Sequence, residues 1–95
     1  MSRATFPKST CCIPGCPRWS RLFPGEWLCA EHWRLVPRAW RSVLRRAWRR
    51  DRAAYDAYEA NPVKPTYMAA RRAESAADRL WARARRYVIL REAGL

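Results

Sequence analysis

Cys11-Cys12-Ile13-Pro14-Gly15-Cys16-Pro17-Arg18-Trp19-Ser20-Arg21-Leu22-Phe23-Pro24-Gly25-Glu26-Trp27-Leu28-Cys29-Ala30-Glu31-His32-Trp33 contains all four cysteines of the chain and its one histidine. A tight turn at Ile13-Pro14-Gly15 brings the chain back between an upstream cysteine and Cys16. After twelve intervening residues, Cys29 and His32 stand three apart in a segment that reads as the first turn of a helix. Positions i and i+3 share a helix face. Thiolates and an imidazole at such spacings close a tetrahedron around Zn²⁺. The expected ligands are Cys11, Cys16, Cys29 and His32 around one structural zinc. The first ligand has an alternative: Cys11 gives C-x4-C with Cys16, and Cys12 gives C-x3-C. With Cys11 as ligand, Ile13 is free to point inward and Cys12 is a spare thiol. The competing reading is two disulfides or ordinary buried cysteines. A cysteine pair answered by a later cysteine–histidine pair, with no signal peptide, favours metal.

The pattern C-x4-C…C-x2-H-W-x-x-V-P, carried by Cys11, Cys16, Cys29, His32, Trp33, Val36 and Pro37, resembles small treble-clef-like zinc-finger proteins of bacteriophage and prophage type. It covers about the first 40 residues. The resemblance implies a zinc knuckle hairpin packed on a short helix, and it names no activity, because treble clefs serve nucleases, DNA-binding modules and protein adaptors alike.

Ninety-five residues make one domain, or one finger joined to one helical unit. A chain this short buries a limited core, so a zinc staple is physically useful. The formal charge is +12, and every basic residue except Lys8 and Lys64 is arginine. Such a balance favours a polyanionic partner: nucleic acid, an acidic protein surface or an anionic membrane. A GC-rich genome would also favour arginine over lysine, but it would not suppress Asp and Glu. No apolar run is long enough to span a bilayer. The opening residues lack the apolar stretch of a signal peptide. The expected location is the cytoplasm, a host cell's if the protein is phage-encoded.

Residues 1–10 read as an extended, loosely ordered arm from which Arg3 and Lys8 could reach a phosphate backbone. Residues 11–36 are the expected zinc-binding module. Within it, Arg18–Phe23 and Glu26–Leu28 could pair across the Pro24-Gly25 turn. Trp19, Leu22, Phe23, Trp27 and Leu28 are expected to cover the metal site, with base stacking by Trp19 or Trp27 the alternative. Residues 29–36 form a short helix, after which Val36-Pro37 bends the chain.

Residues 37–95 read as an antiparallel helical hairpin, with helices over about 37–60 and 66–92. In the first, Trp40, Leu44, Ala47, Trp48, Asp51, Ala54, Tyr55 and Tyr58 share a face that Asp51 interrupts. Arg38, Arg41, Arg45, Arg49 and Arg52 recur on the opposite face. Aligned guanidiniums repel one another unless an anion lies along them. Asn61 is placed to cap the first helix, and Thr66 to cap the second at its N-terminus. In the second helix, Ala70, Ala73, Ala77, Leu80, Trp81, Ala84, Tyr87 and Val88 form the apolar stripe. Arg72, Arg79, Arg83 and Arg86 lie outward, and Glu74 and Asp78 flank the stripe, placed to pair across the hairpin. Gly94 ends the helix. Two helices cannot bury two full stripes. Tyr55, Tyr58, Tyr67 and Val88 would gain cover in a homodimer built as a four-helix bundle.

The residues do not assemble an enzyme. The one histidine is committed to metal, so no Ser–His or Cys–His pair remains. A zinc with four protein ligands has no open position. Eight carboxylates are scattered, and three glycines make no phosphate-binding loop. The expected function is nucleic-acid binding, most naturally of DNA, through Arg38, Arg41, Arg45, Arg49, Arg52, Arg72, Arg79, Arg83 and Arg86, with zinc as scaffold. The alternative is a non-enzymatic effector or adaptor docking on an acidic host or virion protein through Trp and Arg. A membrane-surface role for the Arg/Trp helices is the third reading.

Overall fold

The computed structural model describes residues 5–95. The expected reach of Arg3 toward a phosphate backbone lies outside them. The described chain is mostly helical: two short strands, β1 (Ser9–Thr10) and β2 (Trp19–Ser20), precede three helices, α1 (Ala30–Trp33), α2 (Arg38–Ala60) and α3 (Lys64–Glu92). The chain divides into two compact units. One comprises the residues up to Val36 together with Arg85–Leu95; the other is Pro37–Ala84. The expected boundaries, 11–36 and 37–95, therefore differ from these units at the C-terminus, where the last turns of α3 belong with the cysteine-rich module.

In the cysteine-rich unit, β1 and β2 are antiparallel, with Ser9 opposite Ser20 and Thr10 opposite Trp19. The expected pairing of Arg18–Phe23 with Glu26–Leu28 is corrected: β2 turns back onto the segment upstream of the knuckle. The pairing extends at both ends. The Phe6 amide donates to the Arg21 carbonyl at 2.9 Å, and the Cys11 amide to the Arg18 carbonyl at 2.8 Å. Residues 6–10 are thus tied down rather than forming an arm. Ser9 also accepts a hydrogen bond from the Trp27 indole at 3.0 Å. The core of this unit holds Cys11, Ile13, Trp27, Cys29, Val36 and Val88, with His32 its buried polar member. Trp19, Leu22 and Phe23, expected as core, are instead exposed. Trp19 is about half exposed, and the Lys8 ammonium sits 4.6 Å from its ring centre. Phe23 stacks on Trp27 at 5.4 Å, so Trp27 takes the buried place and Phe23 the outer one.

In the helical unit, Pro37 precedes the first residue of α2, where its fixed φ and missing N–H cost the helix nothing. Twenty-three residues carry α2 about 35 Å. Asn61 ends it in an extended conformation, φ −148°, not in the left-handed one that asparagine often takes at a helix end. Its amide still reaches the Ala57 carbonyl at 3.0 Å. α3 begins two residues earlier than expected. Pro65 sits inside its first turn, where proline is tolerated, and Thr66 is helical rather than the cap. The Thr66 hydroxyl nevertheless reaches back: it accepts from the Val63 amide at 3.1 Å and lies 2.6 Å from the Asn61 carbonyl. That is the returning half of a capping box.

Ring contacts join the two helices within this unit. Trp48 meets Trp81 at 6.2 Å, and Tyr58 meets Tyr67 at 5.9 Å. Leu44, Ala77 and Ala84 are its buried apolar residues. Tyr55 and Tyr67 are exposed. Val88, expected to need a partner, is fully buried and belongs to the cysteine-rich unit. At the far end of α3, Gly94 takes φ +81°. Its amide donates to Arg91 at 3.0 Å, and the Leu95 amide to Leu90 at 2.9 Å. Those two bonds define a Schellman stop, which needs the left-handed residue that glycine supplies.

Candidate metal centre and arginine surfaces

The knuckle turn is local chemistry. Gly15 adopts φ +85°, a conformation L-residues disfavour. The Cys16 amide closes the turn on the Ile13 carbonyl at 3.1 Å. Cys11 precedes the turn and Cys16 follows it. Cys29 is the residue before α1, in extended conformation, and His32 follows within the helix. The turn continues past Trp33: the Leu35 amide bonds His32 and the Val36 amide bonds Trp33, at 3.0 and 3.1 Å.

These elements gather Cys11, Cys16, Cys29 and His32, whose ligand atoms all lie within 4.8 Å of one another. The set could bind one metal ion, and its chemistry is consistent with a single zinc. His32 Nδ1 lies 3.1 Å from Cys29 Sγ and 3.5 Å from Cys11 Sγ. Ligands about 2.0–2.3 Å from a tetrahedral zinc stand roughly 3.5–3.8 Å apart, so the cluster has about the right edge length. Cys12 is outside the cluster. Its amide bonds the Trp27 carbonyl at 2.9 Å, and burial, with the neighbouring Cys11 and Glu26, pushes its thiol up to about 11.

The electrostatics favour thiolate at Cys29. Burial pushes its thiol up, but the backbone N–H of His32, the His32 ring, Arg18 and Cys11 together outweigh burial and bring it down to about 7. Cys11 is held above its ordinary value, chiefly by burial. The Cys29 amide points at Cys11 Sγ, 3.4 Å away.

Two residues that sequence reading missed complete the site. Arg18 directs its guanidinium at Cys29 Sγ, 3.6 Å away, and pairs with Glu31 at 2.8 Å. Three thiolates around a divalent ion leave one negative charge, which Arg18 is placed to offset. Glu92 lies 3.4 Å from His32 Nε2. A carboxylate there fixes the tautomer that leaves Nδ1 free to ligate. Neither had a sequence signal, since Glu92 is 60 positions from His32. A second link from α3 joins Arg85 to Glu26 at 2.5 Å.

The arginines expected to bind polyanions are distributed as follows. On α2, Arg38, Arg45, Arg49 and Arg52 are exposed, whereas Arg41 is half-buried. Arg41 Nε is buried without a hydrogen-bond partner, so this guanidinium stands apart from an open ladder. Arg52 pairs with Asp56 at 3.5 Å. On α3, Arg72, Arg79, Arg83 and Arg86 are exposed, and Arg86 lies in the cysteine-rich unit. Arg38, Arg49, Arg72, Arg79, Arg83 and Arg86 have no carboxylate partner among the described residues. The expected pairing of Glu74 across the helices is corrected: Glu74 binds Arg71 on its own helix at 3.1 Å. Asp51 is raised above its ordinary value by burial, with Glu74 and Asp78 adding to the shift. Carboxylates of both helices are thus near one another along the apolar stripe.

Among the described residues, no helix is long and apolar enough to cross a membrane. Comparison with family models, curated sequences and solved structures finds no match to this chain. Nothing in these comparisons identifies a phage-type zinc-finger family.

Proposed function

We propose that this is a non-enzymatic nucleic-acid-binding protein that grips phosphates with the exposed arginines of α2 and α3. In this reading a structural zinc, held by Cys11, Cys16, Cys29 and His32, stabilises a treble-clef-like module. The two long helices form an antiparallel hairpin, supported by ring contacts that pair a late residue of one helix with an early residue of the other. The observation that carries the reading is the excess of exposed guanidiniums over carboxylate partners in Pro37–Ala84. The fixed planar fork of arginine suits phosphate oxygens, and contacts to the phosphate backbone supply most of non-specific affinity. Replacing Arg49, Arg79 and Arg83 by Glu is expected to abolish binding to a labelled duplex without changing zinc content. Retained affinity would move the site away from these faces.

A second reading has its own support. Trp19, Leu22 and Phe23 expose apolar surface beside Lys8 and Arg18 on the cysteine-rich module, a combination suited to docking on an acidic protein. It requires a saturable protein partner that is lost on Trp19→Ala, with only weak DNA binding.

A further inference from the structure

A cleft in the helical unit separates α2 from α3. Its cavity is about 340 Å³, at the small end of ligand pockets, which run about 300–1,000 Å³. Arg46, Arg50 and Arg72 line it. Arg46 and Arg50 are one turn apart on α2, so their side chains share a face; Arg72 comes from α3. None of the three has a carboxylate partner among the described residues, and no carboxylate lines the cleft. The rest of the lining is apolar, much of it alanine: Ala47, Ala73 and Ala76. Val43 and Leu80 complete this apolar lining, and the short alanine side chains leave the room between the helices.

Three cations and an apolar wall lining one cleft match an anion that carries an apolar ring face. We infer that this cleft takes one unstacked nucleotide of a single strand, with its phosphate on Arg46, Arg50 and Arg72 and its base against the alanines. The inference rests on the nucleic-acid reading above and sharpens it. A base inside a duplex has both faces stacked and its edge paired, so it cannot enter such a cleft without being extruded. A single strand offers its bases freely, and burying one ring face against the apolar lining adds to affinity by removing that face from water. The protein should therefore prefer single strands, although duplex still binds through phosphate contacts alone.

The test is fluorescence anisotropy on zinc-loaded, full-length protein, using a labelled single-stranded oligonucleotide and the duplex made from it. The single strand is expected to bind about tenfold tighter, the gain expected from burying roughly 60 Å² of ring face. Ala76→Leu fills the cleft and keeps the charge, so it should erase that preference while leaving duplex affinity within about twofold. Helicity by circular dichroism checks that this variant folds. Arg50→Gln with Arg72→Gln provides an independent arm and should weaken the single strand more than the duplex. Equal affinity of wild-type protein for both forms overturns the inference and leaves the arginine-face reading standing. No binding to either form overturns both. Ala76-dependent binding to phosphatidylserine vesicles, with no strand preference, would give the cleft to a lipid and overturn the inference as well.

Discussion

Glu92 and His32 show how much one side chain decides. With Nε2 turned to Glu92, the imidazole presents Nδ1 to the sulfurs. Partners of this kind typically change metal affinity by about 10–100-fold when removed. Glu92→Ala is therefore expected to lower zinc affinity by about tenfold in a chelator competition, with Glu92→Gln losing less; an unchanged affinity would show that His32 is oriented without it. Cys29→Ser and His32→Ala remove ligands and are expected to unfold the cysteine-rich unit, because metal binding and folding are one equilibrium in such modules. Full zinc content in either variant would contradict the ligand set. Asp51 is a contrasting case. Its carboxyl is raised in the folded protein, so folding favours the protonated form. The resulting cost is absent below the ordinary carboxylate range and appears as pH rises through the raised value. Asp51→Asn should then stabilise the protein near neutral pH, on the order of 0.5 kcal/mol, and give no gain in acid. Thermal unfolding at the two pH values measures both.

At the scale of elements, the long helices were legible because their signals are local. Apolar residues recur at 3–4 spacing, Pro37 and Asn61-Pro62 punctuate the chain, and Gly94 supplies the stop. The start of α3 was misjudged because Pro65 reads as a breaker, yet its ring is harmless in a first turn. Thr66 shows the consequence. Its hydroxyl serves the Val63 amide and the Asn61 carbonyl from inside the helix, so Thr66→Val should cost about 1 kcal/mol and fray the first turn of α3, seen as faster amide exchange at Val63. Normal protection there would mean the loop is held by other contacts. The short strands were not legible. Two-residue strands carry no alternation to read, and their partner is fixed by the knuckle, which folds β2 back on β1. The gathered cysteines and histidine were visible from spacing alone. The choice between Cys11 and Cys12 was not, because adjacent residues on an extended segment point to opposite sides, and only the tertiary structure says which side faces Cys29. Arg18 and Glu92 were invisible for a related reason: one is a single arginine among many in the chain and the other lies 60 positions from His32. The exposure of Trp19 and Phe23 was misread because a small module buries only one ring per position, and Trp27 took it.

For the whole molecule, the governing quantity is charge. A formal charge of +12 is costly to assemble, and the few ion pairs on α2 and α3 offset little of it. An anionic partner would relieve that repulsion; so, less effectively, would salt. Exposed Tyr55 and Tyr67 also leave room for self-association, and a homodimer would appear in sedimentation as a concentration-dependent shift in mass. The most direct measurement is the affinity of zinc-loaded protein for a short labelled DNA at about 50 and 200 mM salt. Affinity should fall by about 10³-fold or more between the two if six or more phosphates are contacted, and binding should be lost at both salts when Arg49, Arg79 and Arg83 are replaced by Glu. No binding at the lower salt, from protein carrying one zinc per chain, would contradict the nucleic-acid account and point to an acidic protein partner.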